Sequence, residues 1–301
     1  MSEFLQQVIN GVSLGAIYAL IALGYTMVYG ILRFINFAHS DVFMVGAFIS
    51  YYLAPYILPF TGGNMAIAGS LLLLSSMIGC ALLGVTIEKL AYRPLRPRSK
   101  LTVLITAIGV SLFLEFGGQL VFGPDPKRFP DIIPSVSVFR GGGIDISSNT
   151  VVVIVTAIVL MLALRWIVFK TKIGTAMRAV SYNMSAASLM GINIDTVVSF
   201  TFVVGSSLAA AAAVLYASIY SKIDPLMGVY PGLKAFVAAV LGGIGNLAGA
   251  ALGGLIIGLT ETMVTGYISP IYRDAIAFSI LILILLFRPS GLLGKRESEK
   301  V

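Results

Sequence analysis

Nine apolar stretches, most long enough to cross a bilayer, alternate with short linkers rich in Pro, Gly and basic residues. They run over about 8–29, 37–58, 65–88, 101–122, 151–169, 196–220, 232–247, 248–268 and 274–288. A spanning helix needs about 20 apolar residues. The chain of 301 residues is 58% hydrophobic and only 11% charged, too few charges to clothe a water-facing surface. Disorder needs low hydrophobicity and is excluded as well. The expected fold class is therefore all-α: a polytopic transmembrane helical bundle of about 8–9 membrane segments, forming one domain over 1–301. The seventh stretch is short and interrupted by Gly242, Gly243 and Gly245. Whether it spans or is re-entrant stays open.

The net charge of +7 would suggest nucleic acid in a soluble protein. Here the basic residues sit in a few short loops, which fits a membrane and no nucleic acid. Fourteen of the 20 Lys and Arg fall on one side: Arg33; Lys89, Arg93, Arg96, Arg98 and Lys100; Arg165, Lys170, Lys172 and Arg178; Arg288, Lys295, Arg296 and Lys300. The other six are Lys127, Arg128, Arg140, Lys222, Lys234 and Arg273. The richer side is expected in the cytoplasm. That places the N-terminus outside and the C-terminus inside, which requires an odd number of crossings. Met1-Ser2-Glu3-Phe4 lacks a basic signal-peptide start, so the first stretch is expected to be retained. Cys80 is the sole cysteine and His39 the sole histidine, so no disulfide or His/Cys metal cluster is expected.

Two linkers are long enough for structure of their own. The outer one, about 123–150, holds Pro124, Pro126, Pro130 and Pro134. Then come Ser135–Phe139, three glycines and Ile144-Asp145-Ile146, an alternation around a turn that predicts a small hairpin, with an irregular loop as the alternative. The inner one, about 170–195, has a centre from Arg178 to Met190 with neither Pro nor Gly. It is too polar to span and predicts one short surface helix stopped by Gly191. A lipid-binding helix would carry a basic face. This one has one Arg and a smooth Ala/Ser/Met surface, which favours a protein groove.

No phosphate-binding loop is present, since Gly291-Leu-Leu-Gly294-Lys295-Arg296 has the wrong spacing. No nucleophile or carboxylate pair suggests an enzyme, so energy must come from a partner or an ion gradient. Glycines recur every four residues at Gly11 and Gly15, at Gly245, Gly249 and Gly253, and at Gly254 and Gly258. Such faces let helix backbones approach closely, either within the subunit or at a moving contact. Asn36-Phe37-Ala38-His39-Ser40-Asp41 and Gly245-Asn246-Leu247-Ala248-Gly249 each open an apolar helix in opposite halves of the chain. Paired interruptions point to pseudo-symmetric halves around a path, or else to two unrelated interfacial turns. Glu115 and Glu261 sit inside apolar stretches, as path groups or as hydrogen-bonded carboxyls. Lys234 is expected to snorkel to the outer interface.

The stretches GAIYALIALGYTMVYGILRFINFAH (15–39), FGPDPKRFPD (122–131), RAVSYNMSAASLMGINID (178–195) and PGLKAFVAAVLGGIGNLAGAALGGLIIGLTE (231–261) resemble the smaller permease branch of branched-chain amino acid ABC transporters. The likeness covers nearly the whole chain. It implies an ABC importer permease fold, a second related permease as partner, two cytoplasmic ABC ATPases and an extracytoplasmic substrate-binding protein. It implies ATP-Mg on the ATPases and no cofactor in this chain. It also implies that 178–193 is the coupling helix, with Arg178, Asn183, Ala186, Ala187 and Gly191 in the ATPase groove. Asn36, His39, Asp41, Glu115, Gly245, Asn246 and Gly249 are the residues expected to line or support the path. The family commonly has Gly where this chain has Ser40, and often Glu where it has Asp41, which puts tight packing there in doubt. Leucine, isoleucine and valine are the family default; urea, short amides or other amino acids are alternatives. A gradient-driven carrier, relaying protons through Asp41, Glu115 and Glu261, and a channel-like protein are the rivals from other classes.

Overall fold

The computed structural model describes residues 2–96, 98–133 and 136–294. Pro97, Pro134, Ser135 and the basic residues Lys295, Arg296 and Lys300 lie outside them. The helices α1 (Ser2–Leu32), α2 (His39–Phe60) and α3 (Met65–Ile87) come first. A π-helical turn (Glu88–Tyr92) and a 3-10 turn (Arg93–Leu95) continue α3, and α4 (Lys100–Phe122) is next in the chain. The strands β1 (Lys127–Arg128), β2 (Ser137–Gly141) and β3 (Ile144–Ser147) lead into α5 (Ser148–Lys170). Next are α6 (Lys172–Tyr182), α7 (Met184–Leu189) and α8 (Ile194–Tyr220). The chain closes with β4 (Lys222–Ile223), α9 (Val229–Gly242), α10 (Leu247–Tyr267) and α11 (Arg273–Phe287). Eight helices among the described residues are long and apolar enough to cross a membrane.

Local chemistry sets the helix starts. Asn64, Ser99, Ser147, Thr171, Asn183, Asn193 and Asn246 each precede a helix, and each side chain accepts a backbone N–H from its first turn. Capping of this kind satisfies donors that lipid could not. The expected hairpin forms: β2 pairs antiparallel with β3, and Gly142 and Gly143 take φ of +60° and +78° in its turn.

The two ends of the bundle are marked by contacts. The Asp145 N–H donates to Gln6 Oε1 (2.9 Å), so α1 begins at the hairpin end. β1 pairs with β4, which brings the linker after α8 to that same end. At the opposite end Gly245 lies beside Gly30, near the close of α1. There the Leu292 and Leu293 N–H groups donate to Leu241 and Gly242 carbonyls (2.8 and 3.0 Å).

The segment from Ser221 to Gly242 therefore traverses the bundle. It does so as a non-helical lead of residues 221–228 and then α9, whose 14 residues rise only about 21 Å. Irregular backbone at this depth must be enclosed by protein, and most of it is: Ile223, Pro225 and Met227 are buried and Gly228 abuts Ser40, while Lys222 and Leu226 are exposed. Nine traverses result among the described residues, with Ser2 and Gly294 at opposite ends of the bundle.

The core is organised around α1, which is almost wholly enclosed and packs on α10, α8, α9 and α5. The repeating glycines serve this packing within the chain. A side chain on Gly258 would strike the Gly15 backbone, and one on Gly254 would strike Ala19. Gly249 and Gly253 likewise press on Gly242 and Ala238 of α9. By contrast α11 and α4 turn most of their surface outward, with Phe113, Leu120 and Leu286 exposed.

Candidate functional site

The inner linker departs from the single helix expected. Asn183 takes an extended conformation (φ −152°, ψ 107°), which breaks the segment into α6 and α7. Its Oδ1 accepts the Ala186 N–H (2.9 Å), so Asn183 is the cap of α7. The stop at Gly191 is as expected. Gly191 has φ +82°, its N–H reaches the Ser188 carbonyl (3.0 Å), and the Ile192 N–H reaches that of Ala187 (3.1 Å). This paired closure needs a left-handed residue, which Gly adopts without strain.

One of the groove assignments changes, and a second residue has a structural role besides. Ala187 is buried in the chain's own body, so it cannot sit in a partner's groove. Arg178 Nη1 donates to the Val168 carbonyl (2.6 Å), and its guanidinium lies over the Phe169 ring. It thus holds α6 to the end of α5, where orphan carbonyls and the helix dipole favour a cation. Arg178, Asn183, Ala186 and Gly191 are exposed, and so, unforeseen, are Tyr182, Leu189 and Met190, at 89%, 89% and 83% exposure.

The two paired interruptions lie on either side of a small crevice lined by Tyr25, Tyr29, Ile35, Phe236, Ala239 and Ile244. Their asparagines do different work. Asn246 caps α10 through Gly249 and donates Nδ2 to the Leu293 carbonyl (2.8 Å). Asn36 is buried away from any cap and accepts the Tyr92 hydroxyl (2.6 Å). Gly245 bends the chain at φ +94°, and Gly249 is the bare surface against which Gly242 packs.

His39 is buried edge-on to Tyr25, with ring centroids 4.7 Å apart, and rests on Gly24. Ser40 is tightly packed after all, because Gly228 and Gly232 leave room for it.

The three acidic residues expected along the path fall into two separate groups. Asp41 is buried and accepts the Ser111 hydroxyl (2.5 Å), and Glu115 lies one helical turn beyond Ser111 on α4. Glu261 belongs elsewhere. It accepts the Tyr18 hydroxyl (2.8 Å) and pairs with Lys234 (2.8 Å). Lys234 also pairs with Asp274 (2.6 Å), while Arg273 stands 3.8 Å from Glu261 and 3.4 Å from Asp274. Lys234 therefore does not snorkel. It is 2% exposed and ties α9 to α10 and α11.

A further network was not visible in the sequence. Glu88 is fully buried, and its carboxylate accepts from Arg93 Nε (3.2 Å), Arg96 and the Ser199 hydroxyl (2.8 Å). Arg96 Nη1 continues to Asp195 (2.6 Å). On an α-helix, residues five apart point to different sides. The π turn, in which the Arg93 N–H bonds the Glu88 carbonyl, brings them together.

Nine traverses about a central helix, two breaks flanking a crevice and an exposed helix pair at one membrane face define a multi-pass membrane transport subunit. The chain belongs to the family of permease components of branched-chain amino acid transport systems, whose pattern matches residues 7–285. It is 41% identical over 303 residues to the high-affinity branched-chain amino acid transport system permease protein BraD of Pseudomonas aeruginosa, covering 99% of this chain and 98% of that one. It is also 41% identical over 304 residues to LivH of Escherichia coli K12, again covering 99% and 98%. LivH of Salmonella typhimurium is 42% identical over 306 residues at the same coverage.

Proposed function

We propose that this chain is a permease subunit of an ATP-driven importer for leucine, isoleucine and valine in the bacterial inner membrane. In this reading it encloses the translocation path together with a second, related permease. The crevice meets the two breaks at Ile35 and Ile244, and in this reading Asn36, His39 and Asp41 in one break and Gly245, Asn246 and Gly249 in the other support the path around it. Glu115 lies on α4, one turn from the Ser111 that holds Asp41. Two cytoplasmic ATPases hold ATP-Mg and perform hydrolysis, and this chain needs no cofactor. A binding protein delivers the amino acid at the hairpin end, which is outside, as is the N-terminus. The C-terminal end and the α6–α7 pair face the cytoplasm, in keeping with the basic residues there.

The observation that carries the reading is the α6–α7 pair. It stands at the basic end and presents Tyr182, Leu189 and Met190 outward. Its turns are fixed by Asn183 and Gly191, so the pair moves as a rigid body when a partner seats on it. Separation of the carboxylates into two groups, one already matched by Lys234 and Arg273, speaks against a single acid relay through Asp41, Glu115 and Glu261.

The test is Leu189→Asp with Met190→Asp in the complex reconstituted with its partners. The variant chain should reach the membrane at normal level, lose its ATPases on purification and lose leucine uptake. Normal ATPase retention would remove the docking assignment. Uptake of labelled urea in place of leucine by the unmodified complex would remove the substrate assignment.

A further inference from the structure

The π turn Glu88–Tyr92 touches two regions that the proposed mechanism needs to connect. At one end its Glu88 carboxylate is held by Arg93, Arg96 and Ser199, and Arg96 grips Asp195 (2.6 Å). Asp195 is the second residue of α8, and only Ile192 and Asn193 separate α8 from Gly191, where α7 closes. At the other end Tyr92, fully buried, donates its hydroxyl to Asn36 Oδ1 (2.6 Å). Its ring packs edge-on against Phe34 (5.2 Å) and tilted against Phe202 (5.6 Å). Phe34 and Asn36 are in the break between α1 and α2. One turn is thus clamped to the foot of α8 on one side and to that break on the other.

A π turn holds one residue more than an α turn, and such turns recur at functional sites. Tightening it to α would rotate the residues beyond the turn by about 100° relative to α3. Tyr92 would then leave Asn36, and Arg93 and Arg96 would leave Glu88. The network is balanced in charge, with Glu88 and Asp195 against Arg93 and Arg96, so its hold depends on geometry. Displacement of Asp195 would pull directly on Arg96 and Glu88.

We propose that this turn is the link by which motion of the α6–α7 pair reaches the α1–α2 break, with Glu88 and Tyr92 as its positioning residues. The inference rests on the reading of α6–α7 as the ATPase seat. It goes beyond that reading in naming the internal element that carries the motion.

The experiment uses the complete complex in lipid vesicles, with leucine moved per ATP hydrolysed as the readout. Tyr92→Phe and Asp195→Asn should each co-purify with the ATPases at the unmodified yield and hydrolyse ATP at the basal rate. Each should move about fivefold less leucine per ATP, the factor that one buried hydrogen bond commonly controls. The double variant should be no worse than the worse single, because both act on one link in series. Unchanged leucine per ATP in Tyr92→Phe, or losses that multiply in the double, would overturn the link. Should Asp195→Asn fail to assemble, Tyr92→Phe with Ser199→Ala gives the same comparison. An unmodified chain that binds no ATPase would overturn the docking reading and this link together. Bound ATPases with unaltered coupling in the variants would overturn the link alone.

Discussion

Replacing Lys234 by Met should destabilise the bundle through the carboxylates it leaves behind. The ammonium lies 2.8 Å from Glu261 and 2.6 Å from Asp274. At an effective dielectric of 20, each contact is worth about 6 kcal/mol of gross attraction. Desolvation of the ions offsets much of this, and breaking a buried pair costs about 3–5 kcal/mol in practice. Arg273 stays 3.8 Å from Glu261 and 3.4 Å from Asp274, and Asp274 is one-third exposed, so the loss should lie near the lower bound. For a chain of this size about 3 kcal/mol lowers the midpoint of thermal unfolding by roughly 5 °C. Cys80 offers the assay, because it is fully buried and a thiol-reactive dye reports its exposure during heating. Adding Glu261→Gln to Lys234→Met should recover more than half of the loss, since the penalty comes from an uncompensated buried charge. A midpoint unchanged in Lys234→Met, or lowered further in the double variant, would refute this reasoning.

The same geometry sets four other outcomes. Gly258→Leu should push α10 off α1 and leave little folded protein, whereas Gly109→Leu, which meets only open space, should express normally; membrane yield compares them. Tyr18→Phe removes one hydrogen bond to Glu261 and should cost about 1.5–3 kcal/mol in the same thermal assay. Gly191→Ala forces a side chain into the left-handed region and should cost about 1 kcal/mol, with reduced retention of ATPases. Asn246→Ala removes the cap of α10 and its bond to Leu293, and should cost about 1–2 kcal/mol in the thermal assay.

The sequence made the membrane segments legible because lipid tolerates few alternatives to an apolar helix. The hairpin was legible because Gly142 and Gly143 mark its turn between alternating residues. Elsewhere local signals misled. Lys234 reads as a snorkelling residue near an interface, but α9 is enclosed by α1, α10 and α11, so its ammonium meets carboxylates before water. The alike settings of Asn36 and Asn246 suggest equivalent roles. Only tertiary placement distinguishes them, through Tyr92 for one and the start of α10 for the other. Glu88 and Arg93 are five apart, a spacing that regular helical periodicity assigns to different faces. The break at Asn183 carried a weak signal of its own, since Asn is a favoured helix cap, but nothing nearby interrupts the helical pattern.

If the exposed helix pair seats ATPases as proposed, transport through this chain should require them. The direct measurement is uptake of labelled leucine into vesicles holding the chain and its partner permease, with and without the two ATPases, the binding protein being present throughout. Accumulation against a gradient is expected only when the ATPases and ATP are supplied. Equal accumulation by the permeases alone would contradict an ATP-driven role.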